Sequence, residues 1–132
     1  MNYFLYRLNP PRPTFPGDMT PAERDLMRQH VAYWTRLMKE GRVIAFGPVA
    51  DPKGSYGIGI IQLEQGEDAD ALGANDPVIL AHAGFGFEIH PMPQSFLSSM
   101  PNPACERRAA SALRLLAVPS SLHSPAAAQR ER

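Results

Sequence analysis

Several things are scarce in this chain, and each scarcity excludes a class. There is one cysteine, Cys105, so no disulfide forms within the chain. The N-terminus, Met1 to Arg7, lacks a charged region followed by an apolar one, so it does not read as a signal peptide. A cytoplasmic protein is the expectation. No apolar run approaches the ~20 residues of a membrane span. Formal net charge is zero, without the basic excess of most nucleic-acid binders. No G-x-G-x-x-G precedes a helix, and "GSYGIGI" has neither that spacing nor a following helix. A G-x-S-x-G elbow is missing, as are C-x-x-C and H-x-x-x-H spacings. Neither a metal nor a cofactor is expected, and partners are expected to include neither nucleic acid nor membrane.

Proline is abundant, with 14 residues in 132, and the apolar share of 44% is that of a globular chain. The length suits one domain. Residues 1–100 hold eight Lys/Arg against eleven Asp/Glu, a balance of −3, whereas residues 101–132 hold five against two, a balance of +3. Composition shifts at the same place, to Pro, Ala, Ser and Arg. A domain over 1–100 and a tail over 101–132 are therefore expected, the tail either weakly helical around 104–117 or disordered.

Along the domain, aromatic-rich Met1–Leu8 reads as a strand. Pro10, Pro11, Pro13 and Pro16 force a loop. Thr20-Pro21-Ala22-Glu23 is a capping-box helix start, and Gly41 is the stop. Within that helix Leu26, His30, Tyr33, Trp34 and Leu37 fall on one stripe. Strands are predicted over 42–49 and 56–63, short helical turns over 67–75 and 78–83, and a last strand over 85–92. Gly57 and Gly59 in the third strand imply close approach by backbone or ligand. The order β-α-β-β-α-β gives an α+β, ferredoxin-like plan with helices on one face of an antiparallel sheet. Apolar residues on both faces of Val43–Phe46 and Tyr56–Leu63 predict that two chains pair through the open face, as a homodimer.

His30 carries a polar ring on an apolar stripe. It is either a general acid/base in a pocket or a buried histidine hydrogen-bonded for structure. Arg12, in the proline-rich loop, could clamp a carboxylate or phenolate, or be simply solvated. Tyr33 and Trp34 flank His30 for ligand stacking or for core packing. His82 and His90 are too scattered from His30 to suggest a metal site. Cys105 lies far from His30 in sequence and does not read as a nucleophile.

The segments "QHVAYW", "GRVIAFGPVADPKGSYGIGI" and "NDPVILAHAGFGFEIHPM" resemble the YCII-related (YciI-like) domain family over roughly residues 1–95. His30, Gly41, Gly47-Pro48, Asp76-Pro77 and the final strand occur in the family's order and spacing. The resemblance implies a dimeric α+β barrel of ferredoxin-like subunits. It also implies a pocket with a histidine–aspartate pair, here His30 and Asp76 as catalytic residues, with Asp51 the second choice for the carboxylate. Arg12, Tyr33, Trp34, Gly47 and Pro48 would then contact a small-molecule substrate. Asp76 could equally be no more than a helix cap before Pro77. The chemistry implied is cofactor-free isomerisation or elimination, including dehydrochlorinase-like elimination. The alternatives are a non-catalytic ligand-binding or accessory module on the same dimer, and an interaction protein working through its tail.

Overall fold

The computed structural model describes residues 1–98. The tail helix considered around 104–117 and Cys105 lie outside the described residues. Seven elements follow one another: β1 (Asn2–Asn9), α1 (Pro21–Lys39), β2 (Val43–Val49), β3 (Tyr56–Leu63), α2 (Ala69–Ala74), α3 (Pro77–Leu80) and β4 (Gly86–Met92). The strands form one antiparallel sheet in the order β2-β3-β1-β4. This is the ferredoxin-like arrangement, with β1 and β3 in the centre.

Helix α1 begins and ends where its sequence signals lie. The Thr20 hydroxyl accepts from the Glu23 amide at 3.2 Å, and the Glu23 carboxylate accepts from the Thr20 amide at 2.9 Å. At the other end Gly41 adopts φ 77°, which lets its amide reach the Met38 carbonyl and the Arg42 amide reach that of Leu37. That pair of bonds satisfies two end carbonyls. The two short helices expected over 67–75 and 78–83 form as Ala69–Ala74 and Pro77–Leu80. Asp76 and Pro77 separate them, because the residue before proline is pushed out of helical geometry, and Asp76 takes φ −61°, ψ 130°.

Strand alternation then sorts the core. Tyr6 and Leu8 of β1, Val43 of β2, and Ile61 and Leu63 of β3 are buried beneath Trp34 and Leu37 of α1. The two glycines of β3 serve this layer. A Cβ at Gly59 would lie 3.0 Å from the Trp34 ring, and one at Gly57 would lie 3.2 Å from the Leu8 Cβ. The close approach expected there is thus made by side chains, not by another backbone. Leu5, Ile58 and Ile60 have the opposite parity and lie on the sheet face away from the helices, only partly buried. No helix among the described residues is long and apolar enough to cross a membrane.

Candidate functional site

Three elements meet at one carboxylate. His30 and Trp34 are a single turn apart on the sheet-facing stripe of α1, Tyr6 points up from β1, and Asp76 caps α3. Asp76 is fully buried. Its Oδ2 accepts from Trp34 Nε1 at 2.7 Å and from the Tyr6 hydroxyl at 3.0 Å, and it pairs with His30 Nδ1 at 2.8 Å. Its Oδ1 accepts from the Val78 amide at 3.2 Å. The cap and the pairing with histidine, set against each other as sequence readings, coexist on the two oxygens of one group.

The electrostatics follow from that crowding. Burial pushes the Asp76 carboxyl up. The hydrogen bond and charge of His30, with the Trp34 indole and the Val78 amide, outweigh it and hold the carboxyl below its ordinary value of 3.8. Asp76 is therefore an anion that only accepts. Tyr6 responds in the opposite sense: burial first, then the charge of Asp76 and the bond to it, push its hydroxyl far above its ordinary range. An acceptor-only Asp76 also assigns the tautomer of His30. The hydrogen sits on Nδ1, which in the neutral ring leaves the lone pair on Nε2. Nε2 has no hydrogen-bond partner among the described residues.

His30 also lines a cavity of about 290 Å³, at the small end of the ~300–1,000 Å³ usual for ligand sites. The cavity walls include Leu8, Phe15, Met27, Trp34, Phe46 and Phe85. The proline-rich loop supplies one side through Pro10, Phe15, Pro16 and Met19. Phe15 is buried and meets the Phe85 ring edge-on, with centroids 5.3 Å apart. His30 thus has a buried anion on one nitrogen and an apolar, ligand-sized space beside the other. Such an arrangement can take up a proton at Nε2 and stabilise the resulting imidazolium through Asp76.

The structure brings some of the expected residues together and separates others. His30, Asp76 and Trp34 meet, and Gly47 and Pro48 line the cavity. Tyr33 does not line it. Its hydroxyl donates to the Leu72 carbonyl at 2.8 Å, tying α1 to α2. Arg12, expected to clamp a ligand, is committed elsewhere. It forms a two-pronged bond to Glu23 at 2.7 and 2.8 Å and holds Asp18 through its side chain and its carbonyl, both at 2.8 Å. Asp51 accepts from the Lys53 amide at 2.8 Å within a turn. Tyr6 was missed by sequence reasoning. Its signal was slight: a hydroxyl on the inward parity of a strand otherwise bearing Phe4 and Leu8. Among the described residues no group of three or more His, Cys, Asp or Glu side chains could hold a metal.

The family model of the YCII-related domain matches residues 1–93. No curated protein matches the chain. The chain belongs to the YCII-related domain family.

Proposed function

We propose that this YCII-related protein is a cofactor-free enzyme acting on a small molecule, with His30 as acid/base and Asp76 as the group that orients it. The observation that carries this reading is the position of the His30 ring, bonded at Nδ1 to a buried anion and lining a ligand-sized apolar cavity. Nε2 takes a proton from an acidic C–H or O–H of the bound molecule. Asp76 stabilises the imidazolium so formed. The proton then returns at another atom, which is isomerisation, or the electron pair left behind expels a leaving group, which is elimination. The cavity excludes water by its apolar walls, which strengthens each of these interactions.

The open sheet face supports a second part of the reading, that two chains pair through Leu5, Ile58 and Ile60 and their neighbours as a homodimer. Light scattering of the full chain checks this, and a monomeric mass removes it.

The acid/base role is tested by nitrogen-15 spectroscopy of the histidine rings together with a turnover screen of lactone, enol and hydroxy-aromatic compounds. The expected native pattern is a single Nδ1–H tautomer at His30, turning into a mixture in Asp76→Asn. Turnover of a responsive compound is lost in His30→Ala. Turnover that survives His30→Ala would sink the catalytic role. A His30 signal that responds to a ligand without any turnover across the panel would favour the non-catalytic binding module on the same scaffold.

A further inference from the structure

We propose that the cavity beside His30 is built for uncharged, mainly apolar ligands that present a single hydrogen-bond donor to Nε2, and that it discriminates against carboxylates and phosphates. The inference rests on the reading of His30 as the polar head of the site and adds the class of molecule that site accepts.

Charge is the first argument. Among the described residues lining the cavity there is no lysine, arginine, aspartate or glutamate. The nearest formal charge on the polar side is Asp76, which lies behind the imidazole and is negative. An anionic ligand would therefore leave water for a space that supplies no cation and has a carboxylate at its end. Burying an unpaired anion is among the costliest things a protein site can do.

The arginine best placed in sequence to offset this is withdrawn. Arg12 sits in the loop that supplies one cavity wall, but four of its five N–H donors are engaged, with Glu23 and Asp18. Turning that guanidinium toward a ligand would break a two-pronged carboxylate bond to Glu23. The loop is thus held by its arginine, and the arginine is unavailable as an anion clamp.

The remaining polar groups narrow the class further. The Tyr6 hydroxyl is spent on Asp76. The Tyr56 ring lies under the Arg7 guanidinium, 4.0 Å from it, while also forming part of the cavity wall. Besides His30, the polar side chains at the cavity wall are the hydroxyls of Ser55 and Tyr56, and the rest of the wall is rich in aromatic rings. Aromatic faces carry negative quadrupole density and repel anions, while they accept apolar and aromatic bodies readily. A lone pair calls for a donor on the ligand. These requirements together describe a compact neutral molecule with one O–H, N–H or acidic C–H.

The test uses two probes with one carbon skeleton: 4-methylbenzyl alcohol, neutral with one donor, and 4-methylbenzoate, an anion at neutral pH. Trp34 is the single tryptophan of the chain and lines the cavity, so its fluorescence reports occupancy without ambiguity. Histidine ring spectra report contact with His30. The alcohol is expected to change both signals saturably, with 4-methylbenzoate requiring at least tenfold higher concentration. In Val31→Arg, which places a guanidinium at a half-exposed position of the cavity rim (Val31 is 48% exposed), the benzoate is expected to gain at least tenfold. Equal or tighter binding of the benzoate to the native protein, with His30 responding, overturns the proposed class and leaves His30 as the site's head group. A gap unchanged in Val31→Arg overturns the charge argument. If neither probe moves Trp34 or His30, the proposal falls, and the tautomer experiment, which needs no ligand, decides separately whether the acid/base reading falls with it.

Discussion

Asp76 and Glu23 both anchor α1, one at its middle and the other at its first turn. Each accepts several hydrogen bonds, and each carboxyl is held below its ordinary value. In Glu23 the bonds from Arg12 do most of this, with the Thr20 amide next, and bring it to about 2. In Asp76 burial opposes ionisation and is outweighed by His30, Trp34 and Val78. The difference between them is water. The Glu23 side chain is partly buried, but Arg12 and Asp18 beside it are open to solvent, so water reaches a bond that breaks there and salt screens the charges. Asp76 is sealed under α1, so a bond it loses leaves a buried polar group with nothing to turn to. A surface cluster of this kind positions a loop. A buried one dictates the protonation of every group it touches, and therefore the chemistry available to His30.

The largest break in that contrast is Asp76→Ala. It leaves Trp34 Nε1, His30 Nδ1 and the Tyr6 hydroxyl without their acceptor and is expected to cost about 3–5 kcal/mol, read as a lower urea midpoint. Tyr6→Phe removes one of the three donors and should cost about 1–2 kcal/mol. It also carries a distinctive pH signature. The Tyr6 hydroxyl titrates above its ordinary 10.0 in the folded state. Its contribution is therefore complete below pH 10 and is lost above it, at up to about 1.4 kcal/mol per pH unit. Tyr33, raised by burial and then by the charge of Asp76, adds to this limb. The alkaline loss should flatten in Tyr6→Phe, and an unchanged slope would contradict the assignment. At the acid end both clusters act in the same direction. Depressed carboxyls contribute above their ordinary values, 3.8 for Asp76 and 4.5 for Glu23, and lose that contribution as pH falls toward the folded values.

Smaller effects sharpen the comparison from the surface side. Thr20→Ala removes the cap that shares Glu23 and should cost about 1 kcal/mol by thermal or urea unfolding. Arg12→Met is expected to have the least effect on stability, and the gap between it and the native protein should close as sodium chloride is raised. The loss in Asp76→Ala should persist in the same salt series. If salt erased both alike, the two clusters would not differ in the way their burial indicates.

Much of the fold was legible because it rests on local signals. Thr20-Pro21-Ala22-Glu23 and Gly41 bracket α1, since caps and a left-handed glycine are decided by adjacent residues. Tyr56–Leu63 matches its strand end for end, because apolar residues bounded by turn chemistry have few alternatives. The two short helices were legible as separate turns, and only their bounds differ from those expected. Leu72 and Val78 are both buried in the core, and Asp76-Pro77 splits the run between them into α2 and α3, because cap and proline signals are local. In the site, His30 announced itself as a polar ring on an apolar stripe. Arg12 did not announce its partner, because a loop arginine has the same local sequence whether it faces a ligand or an acidic neighbour.

By itself the sequence determined the order of elements, the ends of α1, the inward position of His30 and Trp34, and the family to which the chain belongs. These depend on periodicity and capping, which act over a few residues. Only the tertiary structure decided which aspartate meets His30, that Tyr6 joins them, and that Arg12 turns to Glu23. His30 and Asp76 are 46 positions apart and Tyr6 and Asp76 are 70 apart. Nothing local couples such residues. Their meeting follows from the sheet register that sets β1 beneath α1 and from the break at Pro77 that leaves a buried carboxylate at the one level where all three donors can reach it.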